Sequence, residues 1–296
     1  MDFVIQQITS GLAEGAIFAS VALALVMIFT ATEHLNFAQG EMAMFSTYLA
    51  WTLINAGVPY WLAFVITVVI SFAGGVTIEY VVLRPLARAP VLAYVIVFIG
   101  LLVIFNSMAG WIWSYVLKEF PSPFKAFATG SNLIGSHQLG VIAVTLIVLT
   151  ALFLFFKFTP LGLAMRAAAQ NPVSAKLVGI RVGWMLALGW GLAASIGAVA
   201  GMMVAPIVFL DPNMMAGILL YGFASALLGG ISNPAGAVLG GFIFGVLQNV
   251  PTIIERLLNI NVIGNELKLT FALVVVVAVL TFKPSGLFGQ VRIKRV

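Results

Sequence analysis

The most regular feature of the sequence is a succession of long apolar runs separated by short polar junctions. The runs are continuous rather than alternating, which favours membrane helices over a β-barrel. A helix needs about 20 residues to cross roughly 30 Å of hydrocarbon, and the chain offers eight or nine runs of about that length. We predict helical spans over residues 8–30, 37–55, 60–82, 92–115, 139–158, 184–208, 215–231, 235–252 and 267–282. The expected fold class is therefore an all-α polytopic membrane protein, a bundle of eight or nine transmembrane helices that forms one domain over residues 1–296.

Composition supports this prediction. The 296 residues are 62% hydrophobic and 8% charged, and a soluble domain cannot bury that much apolar surface. The chain has no cysteine, which excludes disulfides, thiol nucleophiles and thiolate metal sites. The opening residues MDFVIQQITSGLAEG lack the basic start of a cleaved signal peptide, so we expect the first run to stay as a span.

The basic residues predict the orientation. Three regions, 84–88, 157–181 and 283–295, hold ten of the fourteen Lys and Arg residues, and loops rich in Lys and Arg face the cytoplasm. The N-terminus is then outside and the C-terminus inside, which requires an odd number of crossings. Nine is preferred, although segment 215–231 is short and glycine-rich, and the count falls to eight if it is re-entrant. The net charge of +5 indicates topology rather than nucleic-acid binding.

The largest outer loop in this topology is 117–138. It is polar, rich in turn residues and too short to fold alone. We interpret it chiefly as a connection, with contact to a partner as the alternative.

Several enzyme classes can be tested against the residues. No Gly-Lys-Ser or Gly-Lys-Thr occurs, so the chain has no P-loop for ATP. No H-E-x-x-H occurs, and His34 and His137 lie in loops predicted on opposite sides. The stretch GGISNPAG lacks the second glycine of a nucleophile turn. We therefore expect no catalytic residue, no metal site and no cofactor bound by this chain.

Acidic residues inside predicted spans are the first candidates for function, because each costs at least about 2.5 kcal/mol at mid-bilayer. Glu79, close to Arg84, is interpreted as a helix-end charge beside a basic loop. Glu14 and Glu41 are either buried against polar neighbours or part of a path for a polar solute. Asn106 is a weaker candidate of the same kind, as are Gln248 and Asn249, because most intramembrane amides only bind neighbouring helices.

The segment Asn36-Phe37-Ala38-Gln39-Gly40-Glu41 is more polar than the start of a span requires. Gly40 marks either a break facing a cavity, where a helix end binds a zwitterionic solute, or an ordinary cytoplasmic turn with a helix cap. The sequence leaves both open.

Glycines recur at four-residue spacing within spans, a pattern that lets helix backbones approach closely in lipid. The pairs are Gly11 with Gly15, Gly197 with Gly201, Gly236 with Gly240, and Gly241 with Gly245. They predict tight helix packing and say nothing about a pore.

The stretch RAAAQNPVSAKLVGIRV (166–182) is small, helix-prone and basic. After a turn at 159–162, it predicts one short helix over 167–170 and another over 173–178, with a break at Asn171-Pro172 and a stop at Gly179. It either lies on anionic lipid or docks onto a cytoplasmic partner.

This loop, TPLGLAMRAAAQNPVSAKLVGIRV, resembles the coupling loop of permease subunits of branched-chain amino acid ABC importers. Four further stretches resemble the same family, in family order: HLNFAQGEMAM, EYVVLRPLARAPVLAYVIVFIGLLVIF, LLGGISNPAGAVLGGFIFGVLQN and the ending TFKPSGLFG. The chain length is similar to that of the shorter of the two permease subunits. Two stretches depart from the family pattern: Gln39 stands where histidine is expected, and Gln170 to Val173 replaces a more acidic stretch.

The resemblance implies a multi-pass permease of the bacterial inner membrane. It implies cytoplasmic ABC ATPase subunits that use ATP and Mg, a second permease subunit in a heterodimer, an extracytoplasmic solute-binding protein and no nucleic acid. It also implies a short cytoplasmic coupling helix within the loop 159–182. The residues expected to couple to the ATPase are Arg166, Ala167, Ala168, Ala169, Gln170, Asn171, Pro172, Ala175, Lys176 and Gly179.

Other functions remain as alternatives. The family also contains importers of urea and short amides, so the solute is less defined than the mechanism. An ion-coupled secondary carrier would have more charges deep in its spans and pseudo-repeated halves. A scaffolding protein would explain the glycine packing but not the basic internal loops.

Overall fold

The computed structural model describes residues 2–32, 34–87, 89–124, 135–258 and 265–289. These ranges contain eleven α-helices. They are α1 (Asp2–Thr32), α2 (Gln39–Asn55), α3 (Tyr60–Ile78), α4 (Val91–Trp113), α5 (Ser136–Phe158), α6 (Pro160–Gln170), α7 (Pro172–Leu177), α8 (Val182–Val208), α9 (Met214–Gly229), α10 (Pro234–Leu258) and α11 (Asn265–Phe282). A π-helical turn (Glu79–Leu83) and a 3-10 turn (Arg84–Leu86) continue α3. The all-helical fold is confirmed.

Each of the nine predicted spans lies largely on one of these helices. Several helices begin at a proline, because the fixed φ of proline suits the first helical turn and its missing N–H is not needed there. Pro160, Pro172 and Pro234 are the first residues of α6, α7 and α10. The predicted turn at 159–162 is wrong, because Thr159 caps α6 by accepting the Gly162 N–H at 3.0 Å. Helix α6 therefore begins at Pro160 rather than at Ala167.

Within the part of the chain that the structure describes, six helices are long and apolar enough to cross a membrane, by length and composition. They cover Phe3–Thr30, Tyr60–Leu86, Val91–Trp113, Ser136–Phe158, Val182–Val208 and Pro234–Arg256. Two shorter apolar helices cover Met214–Gly229 and Lys268–Phe282. The protein is thus a multi-pass membrane protein. Helices α2 and α9, with 17 and 16 residues, are shorter than a full span requires.

Some predictions fall outside the described residues. The centre of the predicted outer loop, residues 125–134, is one such region, and Arg88 and the basic ending 290–296 are others.

The chain forms two compact units. The first comprises Met1–Val26, Ser122–Thr145 and Leu220–Val296, and the second comprises Met27–Pro121 and Leu146–Leu219.

In the first unit α1 packs closely on α10 through glycines. A Cβ added at Gly11 would lie 2.8 Å from the Gly245 carbonyl oxygen, and one at Gly15 would lie 2.9 Å from Phe242 Cα. A Cβ at Gly241 would lie 2.4 Å from Ala19 Cα. These distances leave no room for a side chain, so the two backbones depend on glycine to meet.

The part of α9 that belongs to the first unit, residues 220–229, packs on α10 in the same way. A Cβ at Gly240 would lie 2.3 Å from the Ser225 carbonyl oxygen, and one at Gly236 would lie 2.6 Å from that of Gly229. The segment after α11 then joins the end of α9, where Phe288 N–H donates to the Gly229 carbonyl at 3.0 Å.

In the second unit α2 and α3 pack against α8. A Cβ at Gly201 would lie 2.3 Å from Thr47 Oγ1, and one at Gly75 would lie 2.5 Å from the Trp190 carbonyl oxygen. A Cβ at Gly197 would lie 2.6 Å from Gln39 Nε2. The face of α8 that carries Gly197 and Gly201 is thus covered by the first half of α2.

Candidate functional site

Helix α2 begins beside the middle of α8, not beside its start. Gln39 Nε2, on the first residue of α2, donates to the Ala193 carbonyl at 2.9 Å, near the midpoint of the span Val182–Val208. Just before α2, the His34 ring lies 4.2 Å from that of Tyr94, in the first turn of α4. Residues 34–38 therefore carry the chain from the start of α4 to the middle of α8.

The first turns of α9, which belong to the second unit, are preceded by a similar irregular segment, here called the α9 lead-in. Leu210 pairs with Lys118, just beyond α4, through N–H to carbonyl bonds of 2.9 and 3.0 Å. Two residues later, the Pro212 carbonyl accepts a bond of 2.9 Å from Asn106, seven residues before the end of α4 and so about 10 Å inside it. The segment 210–213 thus descends along α4 before α9 begins.

The starts of the two short helices meet. A Cβ added at Gly40 would lie 3.3 Å from Leu219 Cβ and 3.4 Å from the Met215 carbonyl oxygen. Gly40 is the second residue of α2, which begins one residue earlier at Gln39. Asn36 Oδ1 accepts the Ala38 N–H at 3.0 Å, which closes a turn ahead of the helix.

A polar pocket lies where these elements converge. Asn106 Nδ2 lies 3.5 Å from Glu41 Oε2 and 3.1 Å from Asn213 Oδ1. Asp211 accepts the Asn213 N–H and acts electrostatically on both Glu41 and Tyr48. We call Glu41, Tyr48, Asn106, Asp211 and Asn213 the Glu41 pocket.

Burial is graded across the Glu41 pocket. Asn213 is exposed, and Asn106 and Asp211 are half-buried. Glu41 and Tyr48, at the inner end, are 6% and 0% exposed. Among the described residues, no cation lies within ion-pair distance of Glu41.

The hydroxyl of Tyr48 is buried and has no hydrogen-bond partner among the described residues. Tyr48 follows Glu41 by two helical turns and lies on the same face of α2. The carboxylate of Asp211 is the acidic group that acts electrostatically on this hydroxyl. The pocket therefore holds an unused hydroxyl within the electrostatic reach of Asp211.

Aromatic rings form an apolar wall beside the pocket. The Phe45 ring lies 5.4 Å from the rings of both Phe105 and Trp113, and Trp113 stacks on Tyr48 at 4.9 Å. Trp113 Nε1 donates to Thr52 Oγ1 at 2.9 Å, which fixes the indole.

The structure brings only some predicted residues together. Glu41 and Asn106 meet in the pocket. The Gln39 side chain instead donates to α8, and Asn36 Nδ2 donates to Gln39 Oε1 at 3.4 Å. Glu14 belongs to the first unit, half-buried on α1 and within electrostatic reach of Lys268. Tyr48, Asp211 and Asn213 were missed, and the only sequence signals were a tyrosine seven residues after Glu41 and the DPN junction.

The basic stretch forms a hairpin of two short helices, α6 and α7. Asn171 caps α7 by accepting the Ser174 N–H at 3.0 Å. Gly179 has a φ of +85°, a conformation that glycine adopts at little cost and that ends the helix. Ala168 and Ala175 pack with Val182 in a small core. These two predicted coupling residues therefore hold the hairpin together.

The other face of the hairpin is exposed and carries a feature that the sequence analysis missed. Val173, Leu177 and Val178 are 71, 84 and 76% exposed. The polar or basic residues Arg166, Gln170, Asn171, Lys176 and Arg181 are exposed as well. The hairpin thus presents three apolar side chains within a basic rim; Ala167 and Ala169 are half-buried.

Glu79, by contrast, is paired. Arg84 Nη2 lies 2.8 Å from Glu79 Oε2, which confirms the predicted association. The same Nη2 donates to the Gly183 carbonyl at 2.9 Å, and the guanidinium lies over the Tyr80 and Trp184 rings at 4.5 and 5.7 Å. Arg84 thereby ties the end of α3 to the start of α8, directly after the hairpin.

No group of three His, Cys, Asp or Glu side chains that could hold a metal ion occurs within the ranges that the structure describes.

Comparison with known proteins identifies a matching family. Residues 7–280 match the family model described as the permease component of the branched-chain amino acid transport system. The chain is 28% identical to the high-affinity branched-chain amino acid transport system permease protein BraD of Pseudomonas aeruginosa, over 99% of this chain and 98% of that protein. It is also 28% identical to LivH of Escherichia coli, over the same shares. A probable LivH of Methanocaldococcus jannaschii is 28% identical over 93% of this chain and 91% of its own. No solved structure matches the chain.

Proposed function

Because the chain belongs to the family of branched-chain amino acid transport permease components, we propose that it is a permease subunit of an ATP-binding-cassette importer. It would form the path for branched-chain or related amino acids across the inner membrane. The observation that carries this proposal is the family match over residues 7–280, nearly the whole chain. The 28% identity supports the transport mechanism better than the solute, so urea or a short amide remains the second candidate.

The proposal includes partners. No P-loop occurs in the sequence, so ATP and Mg would be used by separate cytoplasmic ATPase subunits. A second permease subunit would complete the path as a heterodimer, and an extracytoplasmic binding protein would deliver the solute. The whole chain, 1–296, would act as one permease domain.

Nine crossings, with the N-terminus outside and the C-terminus inside, are part of the proposal. Helices α2 and α9 are short, but each follows a lead-in that runs along a neighbouring helix. Irregular backbone is tolerated at membrane depth where protein satisfies its polar groups, as the bonds to Lys118 and Asn106 do for residues 210–212. Lead-in and helix together are long enough to cross.

Labelling can test this topology, because the chain has no native cysteine. Single cysteines at Gly57 and at Ser174 lie in exposed positions before α3 and in α7. We expect a membrane-impermeant maleimide to label position 57 from outside and position 174 only after permeabilisation. The opposite pattern would overturn the orientation.

The exposed face of the hairpin is the proposed coupling surface, comprising Val173, Leu177 and Val178 with the rim of Arg166, Lys176 and Arg181. Exposed apolar side chains within a basic rim fit an apolar groove edged by acidic residues, as a partner ATPase would provide. The resemblance of this loop to the family's coupling loop supports that choice over an anionic lipid surface.

The test is co-purification of the chain with its ATPase subunits after co-expression, followed by ATP-driven leucine uptake in proteoliposomes with the binding protein. Leu177→Asp should abolish both co-purification and uptake. Leu163→Asp is the matched control, because Leu163 is also apolar and is 61% exposed, but lies on α6. A complex that survives Leu177→Asp, or one that Leu163→Asp disrupts equally, would overturn the coupling surface. Ion-driven uptake by the isolated chain would overturn the importer.

A further inference from the structure

We propose that the Glu41 pocket binds the ammonium group of an amino acid, while the apolar side chain of that amino acid packs on Phe45, Phe105 and Trp113. This inference rests on the proposed transport function and adds the part of the solute that the chain recognises. Glu41 and Asn106 appear in it because the structure places them together at 3.5 Å.

The first argument is charge. Glu41 is 6% exposed and has no cation within ion-pair distance among the described residues, while Asp211 adds a second carboxylate nearby. Buried charges in proteins are paired as a rule. A cation supplied by the solute would provide the missing partner.

The second argument is the unused hydroxyl of Tyr48. It is buried, has no hydrogen-bond partner among the described residues, and lies within the electrostatic reach of Asp211. A buried polar group without a partner is destabilising, so a ligand that supplies the partner gains affinity. A primary ammonium has three donors, and the Glu41 carboxylate, Asn213 Oδ1 and the Tyr48 oxygen are the acceptors that the Glu41 pocket offers.

The third argument is the wall of aromatic rings. Phe45, Phe105 and Trp113 are half-buried and leave apolar surface beside the polar groups. A bare metal cation would gain nothing from that surface. An amino acid with a branched aliphatic side chain would remove its apolar part from water there, which favours binding.

Trp113 supplies a direct readout of binding, because its ring stacks on Tyr48. Its emission can be isolated as the difference between the wild type and Trp113→Phe, both as full chains in lipid nanodiscs. The probes are L-leucine, 3-methylbutylamine, which lacks the carboxylate, and 4-methylpentanoate, which lacks the ammonium. Sodium chloride tests a simple cation.

We expect leucine and 3-methylbutylamine to change the Trp113 emission saturably, and 4-methylpentanoate and sodium to leave it unchanged. Glu41→Gln should raise the Kd of both responding probes about tenfold or more, because a charge-assisted interaction is lost. Tyr48→Phe should raise it a few-fold, about the effect of one neutral hydrogen bond. Ser46→Ala is the control, because Ser46 lies on the opposite side of α2, where its hydroxyl accepts from Ser71 at 2.7 Å.

A response to 4-methylpentanoate equal to that of the amine, a response to sodium alone, or an unchanged Kd in Glu41→Gln would overturn the proposal. If Glu41→Gln does not fold, Asp211→Asn replaces it, and its Kd should rise about fivefold because the second carboxylate charge is lost. Binding that persists while the complete complex fails to import leucine would overturn the proposed function alone. Import without any Trp113 response would overturn the pocket alone.

Discussion

Two glutamates are buried to nearly the same extent in the second unit, and their surroundings differ. Glu79 is 4% exposed and Glu41 is 6% exposed. Glu79 has the guanidinium of Arg84 at 2.8 Å, whereas the side-chain bond of Glu41 is a long one, 3.5 Å from the Asn106 amide. Burial alone therefore does not distinguish a structural carboxylate from one that is available for a ligand.

The surroundings of Glu79 account for its burial without any ligand. The same guanidinium reaches Gly183 and two aromatic rings, so the ion pair joins α3 to α8. An unpaired charge at membrane depth costs at least about 2.5 kcal/mol. Glu41 is buried without an ion-pair partner in the described part of the chain, so the protein itself does not account for its burial, which makes it the better candidate for a role in transport.

The largest effect on stability is expected from Arg84→Ala. It leaves Glu79 buried without its cation, and breaking such a pair costs about 3 kcal/mol. Thermal unfolding in detergent should show a clear fall in Tm. Arg181→Ala is the control, because Arg181 is an exposed arginine of the same unit and should leave Tm nearly unchanged.

The pairing can be separated from the loss of the arginine itself. Adding Glu79→Gln to Arg84→Ala removes the stranded charge, so the double variant should regain much of the lost Tm. If the double variant is no more stable than Arg84→Ala alone, Arg84 stabilises the protein by packing on Tyr80 and Trp184 rather than by pairing with Glu79. The proposed difference between Glu79 and Glu41 would then be wrong.

An intermediate effect is expected from Asn106→Ala. It removes the amide that bonds to the Pro212 carbonyl at 2.9 Å and leaves that carbonyl unsatisfied, at a cost of about 1–2 kcal/mol. The same unfolding assay should show a smaller fall in Tm than for Arg84→Ala. Ser107→Ala, the exposed neighbour on α4, is the control, and an equal fall there would contradict the assignment.

The smallest effect on stability is expected from Glu41→Gln. No ion pair is broken, and the new amide oxygen still accepts from Asn106, so the free energy of unfolding should change by less than about 1 kcal/mol. ATP-driven leucine uptake should nonetheless fall strongly. A variant that is both unstable and inactive would place Glu41 with Glu79 as a structural residue.

The two glutamates also differ in how far their surroundings can be predicted from the sequence, because only Glu79 has its partner nearby in the chain. Glu79 and Arg84 are five residues apart on one continuous helical segment, so their association was predictable. The partners of Glu41 are distant in the chain. Asn106 and Asn213 approach it only because α4 and the α9 lead-in pack beside α2, and no local pattern encodes that packing.

The hairpin shows a similar division. Its break at Asn171-Pro172 and its end at Gly179 follow from local backbone preferences, and both are present. Which residues of the hairpin are exposed depends on how the hairpin packs against α8. Ala168 and Ala175 therefore lie inside and Leu177 outside, a difference that composition does not reveal.

The shortness of α2 also bears on how the protein is made. Helix α2 has 17 residues and carries Glu41, so the insertion of this helix into the bilayer on its own would be unfavourable. Helix α3 follows after four residues, and its continuous span Tyr60–Leu86 is long and strongly apolar. Ser71 of α3 donates to Ser46 of α2 at 2.7 Å. The two helices would therefore enter the bilayer as a pair during synthesis, and the more apolar α3 would promote the insertion of α2.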